Sequence, residues 1–248
     1  MKRPIRAILL SLVIAGIGVF FAGWLVTSLL RGNYFTGVII TGWVIWAFGI
    51  ACHLVYAVPR TAKLRAEYGP TGTLLRSQRS ANVLFGVPTL AIVVAAVLYL
   101  AFAPFDLVDF VPTGTMRVIL PVGLASLVVF GVPILYGVFT RGGVGYLRVD
   151  PIGFEVWNGQ WGSLVRGTWD EIEQILGAPP RGRKPFHEVV FFVLPKGRSA
   201  MLIADSITGN SAALREWVRF YWQHPDYRAE LSDARALRRL GEEEFTVG

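Results

Sequence analysis

Residues 187–205 read HEVVFFVLPKGRSAMLIAD, and the architecture turns on whether this run crosses a membrane or lies in the core of a separate soluble domain. Val189 to Leu194 are continuously apolar, bounded by Glu188 and by Pro195-Lys196-Gly197-Arg198. A helix needs roughly 20 apolar residues to cross a hydrocarbon layer of about 30 Å, so this run is too short. It fits one strand, a tight Lys-Gly turn and a second strand through Ser199–Ala204. An uninterrupted apolar strand belongs in a core covered on both faces. The stretch reads as a hairpin of a soluble domain.

Upstream the pattern is different. Hydrophobic residues make up 53% of the 248-residue chain and charged residues 17%, with a mean hydropathy of +0.50. Soluble domains carry roughly 25% charged residues. Four windows, about 7–30, 36–58, 83–104 and 118–139, are long enough to span and contain no Asp, Glu, Lys or Arg. The first follows Met1-Lys2-Arg3-Pro4-Ile5-Arg6, but its apolar core exceeds the roughly 7–15 residues of a signal peptide and no A-x-A site follows it. It is expected to stay attached as a signal anchor. The only cysteine, Cys52, excludes an internal disulfide and is expected to be a buried small hydrophobe.

Charge sets the expected orientation. The net +7 of the chain belongs entirely to residues 1–140, because residues 141–248 carry fourteen charges of each sign. A nucleic-acid binder would hold its basic excess on the soluble part, so nucleic acid is excluded as a partner. Basic residues cluster at the N-terminus and in the 59–82 connection, which holds Arg60, Lys63, Arg65, Arg76 and Arg79. The positive-inside rule then places both chain ends in the cytoplasm of a bacterial plasma membrane. The 59–82 connection is expected to be two short helices broken at Tyr68-Gly69-Pro70. Its basic side chains, with Arg181, Arg183 and Lys184 of a later loop, are candidate contacts for anionic lipid headgroups.

The spans offer little chemistry. Pumps and intramembrane enzymes keep ionisable residues in the bilayer, and here only His53 qualifies. Small residues at four-residue spacing, Gly18/Ala22, Gly37/Thr41, Ala47/Ala51 and Ala91/Ala95, favour close helix packing, and Pro133 should kink the fourth span. There is no G-x-S-x-G, phosphate-binding glycine loop, H-E-x-x-H or CxxC. His187, His224 and Asp205 show no triad spacing. No catalytic residue, metal site or cofactor is expected, and the chain reads as a non-enzyme.

From Gly145 short alternating strands are separated by turn signals, among them Asp150-Pro151-Ile152-Gly153 and the two-residue hairpin dipeptide Asn158-Gly159. Trp157 and Trp161 flank the latter and are candidate protein contacts. Asn210 or Ser211 should cap a helix whose apolar stripe is Leu214, Trp217, Val218 and Tyr221, stopped at His224-Pro225. Residues 232–248 read as a helical turn or two running into an acidic, flexible tail. The runs LRVDPIGFEV, RGTWDEIEQI and FYWQHPDYRAEL resemble actinobacterial multi-pass membrane proteins with a cytoplasmic pleckstrin-homology-like (PH-like) domain. The likeness covers about residues 145–231 and rests on the W-D-E-I and YW-x-HP-x-x-R-x-EL pieces.

The expected fold class is therefore α+β: a four-helix transmembrane bundle over 1–140, then a cytoplasmic PH-like β-barrel or sandwich over 141–231 closed by a C-terminal helix. The resemblance implies a fold and a location, not a reaction. The leading reading is a scaffold or accessory subunit of a membrane or envelope complex, with the bilayer and an unidentified membrane protein as partners. The competing reading is a transport or lipid-handling component working through the bundle; a wet, polar cavity reaching His53 would favour it.

Overall fold

The computed structural model describes residues 3–56, 64–180 and 187–246. Its contacts divide the chain into two compact units, Met1–Val58 with Val83–Thr140, and Pro59–Asn82 with Arg141–Gly248.

The first unit is built on four helices long and apolar enough to cross a membrane: α1 (Arg3–Leu30), α2 (Tyr34–Tyr56), α3 (Arg79–Phe102) and α4 (Met116–Thr140). Apolar side chains crowd their outer surfaces, Leu12, Phe20, Val129 and Phe130 among them. Such exposure suits a lipid environment. Where α2 meets α3 the backbones come too close for side chains. A Cβ on Gly42 would meet Ala95 Cβ at 2.6 Å and the Ala91 carbonyl oxygen at 2.7 Å, and one on Gly49 would run into Pro88. Of the small residues singled out in the sequence, Ala47, Ala51 and Ala95 are buried, and Gly18 lies against Ala47 and Phe48. Cys52 departs from expectation, facing outward from α2.

The second unit holds the main surprise. The 59–82 connection is not a pair of helices: its described part forms the hairpin β1 (Arg65–Gly69) and β2 (Gly72–Arg76). The β2 strand then pairs antiparallel with β3 (Gly145–Val149), far along the chain, with Leu75 opposite Leu147 and Arg76 opposite Tyr146. β3 continues to β4 (Gly153–Asn158) and β5 (Ser163–Thr168), giving a five-stranded antiparallel sheet. Tertiary pairing overrides local preference here: Leu74 and Leu75 gain more from a sheet interior than from one exposed helical turn.

A second sheet comprises β6 (Gln174–Leu176), β7 (Val189–Val193) and β8 (Ser199–Ile203). The β7–β8 hairpin is the one read from residues 187–205, with Val189 opposite Ile203. Its turn places Lys196 and Gly197 at φ of 59° and 73°. The eight strands stay in two sheets and do not close into one barrel. Between them lies a core of Leu75, Leu147, Val156, Val190, Phe192 and Leu202, with Phe154 stacked on Phe192 at 4.8 Å.

The helix α5 (Ser211–Gln223) covers this core as its periodicity predicts, with Leu214, Trp217, Val218 and Tyr221 fully buried. The Asn210 side chain caps it by accepting from the Ala213 N–H at 3.1 Å. The helical turn or two expected ahead of the acidic tail forms a short helix, α6 (Ala234–Glu242), capped by Asp233. It docks through Ala236 and Leu240, and the Trp217 indole N–H donates to the Ala236 carbonyl at 2.8 Å.

Candidate functional site

The five-stranded sheet has two distinct ends, fixed by its register. At one end lie the start of β1, the end of β2, the start of β3 and the turn between β4 and β5, because Arg65 pairs with Arg76 and Gly145 with Asn158. Two residues separate β2 from α3, and four separate α4 from β3. This is the end where the chain passes into the spans. The other end carries the β1–β2 and β3–β4 turns.

A hydrogen-bonded junction holds the span-joined end together. Ser77 is fully buried; its hydroxyl donates to Asn82 Oδ1 at 2.7 Å and accepts from the Gly145 N–H at 3.3 Å. Asn82 Oδ1 also accepts from the Val144 N–H at 2.9 Å, and the Ser77 N–H donates to the Gly145 carbonyl at 2.9 Å. The first turn of α3 is thus tied to the chain leaving α4. Ser77 and Asn82 are more than sixty residues from Val144 and Gly145 and form no motif with them, which is why the sequence does not disclose the junction.

The Asn158-Gly159 turn is longer than the expected two-residue hairpin. Asn158 pairs with Ser163, so the loop is Gly159–Gly162, and positive φ falls at Gly162. Trp157 is only 3% exposed. Its indole N–H donates to the Gly143 carbonyl at 2.9 Å and its ring lies under the Arg141 guanidinium at 4.8 Å. Burial removes it as a contact residue. Trp161, in contrast, is 72% exposed.

Arg65, Arg76 and Arg79 also gather at the span-joined end. Arg65 Nη1 donates to the Ser77 carbonyl at 3.4 Å and Arg76 Nη1 to the Arg141 carbonyl at 3.3 Å. Arg60, Lys63, Arg181, Arg183 and Lys184 lie outside the described residues.

At the far end is a cleft of about 630 Å³ whose walls include Thr71, Arg148, Ile152, Phe154, Glu155 and Arg166. Arg148, Glu155 and Arg166 are cross-strand neighbours. Glu155 accepts from the Tyr146 hydroxyl and from Arg166. Burial pushes the Glu155 carboxyl up, but the two donors and the Arg166 charge outweigh it and hold the group below the usual carboxylate range. Burial, then the neighbouring carboxylate, raises the Tyr146 phenol. Ile152, 77% exposed, stands at the cleft's edge. Sequence reading passed over this cleft because its residues come from three turns and alternate with core positions.

No group of three or more His, Cys, Asp or Glu side chains converges among the described residues. The structure does bring His187 and Asp205 together, Nδ1 to Oδ2 at 3.1 Å. The hairpin register predicts that pairing, since Val189 faces Ile203. The nearby Ser206 hydroxyl is committed to the Ile203 carbonyl at 2.7 Å.

Within the spans, a cavity of about 180 Å³ is lined by Phe21, Trp24, Thr36, Trp43, Tyr99 and Phe110, with other apolar residues. The α3–α4 connection covers it, tied down by the Tyr99 hydroxyl donating to the Phe110 carbonyl at 3.1 Å and the Asp109 N–H donating to Thr36 Oγ1 at 3.1 Å. His53 is buried elsewhere on α2, its ring 6.1 Å from Phe85, and does not line the cavity. Comparison with protein-family models, with curated proteins and with solved structures finds no match.

Proposed function

We propose that this chain is a non-enzymatic integral protein of a bacterial plasma membrane that presents a PH-like interaction domain to the cytoplasm, as a scaffold or accessory subunit of a membrane complex. One observation carries the reading. The sheet is assembled from two segments, 64–76 and 145–168, separated by the two spans α3 and α4. Paired strands must share one compartment, so both segments lie on the same side of the bilayer. The basic residues of the 59–82 connection assign that side to the cytoplasm.

The far-end cleft, with exposed Ile152 at its edge and Arg148 and Arg166 in its walls, is the surface such a domain would offer a partner. A photo-crosslinker at Ile152 in native membranes tests this. A partner should be captured there and lost when Arg148 and Arg166 are both changed to Glu. Recovery of the protein alone would overturn the scaffold role.

The apolar cavity favours a second reading, lipid handling within the bundle. Mass spectrometry of lipid retained by the purified protein and by a Leu120→Trp variant, which fills the cavity from its wall, discriminates the two. The cavity's apolar lining and its separation from His53 weigh against an aqueous transport route.

A further inference from the structure

We propose that Trp161 seats the Gly159–Gly162 loop in the headgroup layer of the bilayer, making the span-joined end of the sheet a membrane-resting surface. The inference rests on reading the four helices as spans, not on the scaffold role.

The geometry comes from the sheet itself. The Gly159 N–H donates to the Val144 carbonyl at 2.8 Å, and Val144 is four residues past the last residue of α4. β2, on the same end, runs into α3 after Ser77 and Gln78, and the Gln78 N–H is held by the Ser206 carbonyl at 3.0 Å. The loop is therefore bonded to a residue four positions past the end of α4, a reach of at most about 14 Å of extended chain.

Its chemistry suits that depth. The loop Gly159-Gln160-Trp161-Gly162 has no charged side chain, and its one large residue is an indole directed outward rather than into the core. Trp157 serves the core, whereas Trp161 is left 72% exposed. Indole rings partition to the headgroup level, where the apolar body is covered and the N–H stays hydrated. Arg65, Arg76, Arg79 and Arg141 at the same end supply cations for lipid phosphates. The far end also carries arginines, Arg148 and Arg166, but these flank the Glu155 carboxylate, and no span adjoins that end in the chain. Lipid, not protein, is thus the occupant that the adjacent span ends select.

The test uses the full-length protein in nanodiscs containing phospholipid and no other protein. Nitroxide labels are placed singly at Gln160→Cys, Ile152→Cys and Phe130→Cys in a Cys52→Ser background, with Trp161 intact. A headgroup-chelated nickel lipid should relax the label at 160 severalfold more than that at 152, and Trp161→Ala should abolish most of the difference. The label at 130, on the outer face of α4, reports oxygen access typical of acyl chains and so confirms insertion independently. Equal, water-like relaxation at 160 and 152, with 130 inserted, would overturn the proposal and leave Trp161 as a protein-facing residue. No change with Trp161→Ala would equally overturn it, because the loop would then be held near the bilayer by connectivity alone.

Discussion

Glu230 is the residue on which the C-terminal closure depends. Its carboxylate accepts from the Tyr221 hydroxyl at 3.0 Å and from Arg239 Nε and Nη2 at 3.0 and 3.1 Å, joining α5 to α6. Burial raises its pKa, but the Arg239 and Tyr221 hydrogen bonds and the Arg239 charge outweigh that and hold it below the usual range. A carboxyl whose folded pKa is depressed stabilises above its unfolded value of about 4.3 and loses that contribution as pH falls through the folded value. Protection of α6 amides from hydrogen exchange should therefore fall on the acid side of that value and hold constant toward neutrality. Glu230→Ala strands a largely buried guanidinium and should cost roughly 3 kcal/mol, read as a lower thermal midpoint; Glu230→Gln should cost less. The sequence offers a helical turn or two ahead of the acidic GEEE run, but not its partner. Ala236 and Leu240 at helical spacing are too short a signal to show where the turn docks.

At the scale of elements, the hairpin β1–β2 extends the sheet where the sequence suggests two short helices. Leu75 is fully buried between Leu147 and Ala66, and the Thr73 hydroxyl donates to the Leu231 carbonyl at 2.6 Å. Residues 141–248 produced alone should aggregate or melt without cooperativity, because β3 then presents an uncovered edge and Leu75 no longer contributes its roughly 2 kcal/mol of burial. Joining residues 64–78 through a flexible linker should restore a cooperative transition, followed by circular dichroism; equal behaviour of the two fragments would contradict this placement. The sequence disclosed what depends on neighbours in the chain: the spans by length, the β7–β8 hairpin by its bounded apolar run, and α5 by its stripe and cap. It concealed what depends on distant pairing. Tyr68-Gly69-Pro70-Thr71-Gly72 carries turn signals compatible with either two helices or two strands, and only β3 decides between them. The cleft and the Ser77–Asn82 junction were hidden for the same reason.

For the whole molecule, the pairing of β2 with β3 fixes a relation that charge counting only suggests. Single cysteines at Thr71 and Ile152, in a Cys52→Ser background, should react with an impermeant maleimide from the same side of sealed vesicles. A cysteine at Asp106, in the α3–α4 connection, should react from the opposite side. Labelling of Thr71 and Ile152 from opposite sides would be incompatible with one sheet. The three positions together also test the assignment of both chain ends to the cytoplasm, once the vesicle orientation is known.

The discontinuous sheet also imposes an order in time. A ribosome adds about 5–20 residues per second, so β2 waits for seconds, its outer edge bare, while α3 and α4 are made and inserted. Only a chain whose last two helices have entered the bilayer and returned can deliver β3 to that edge. Folding of a water-exposed domain thereby becomes a check on membrane insertion: a copy with a stalled α4 keeps an open strand and an uncovered Leu75, the features by which quality-control proteases recognise a failed product.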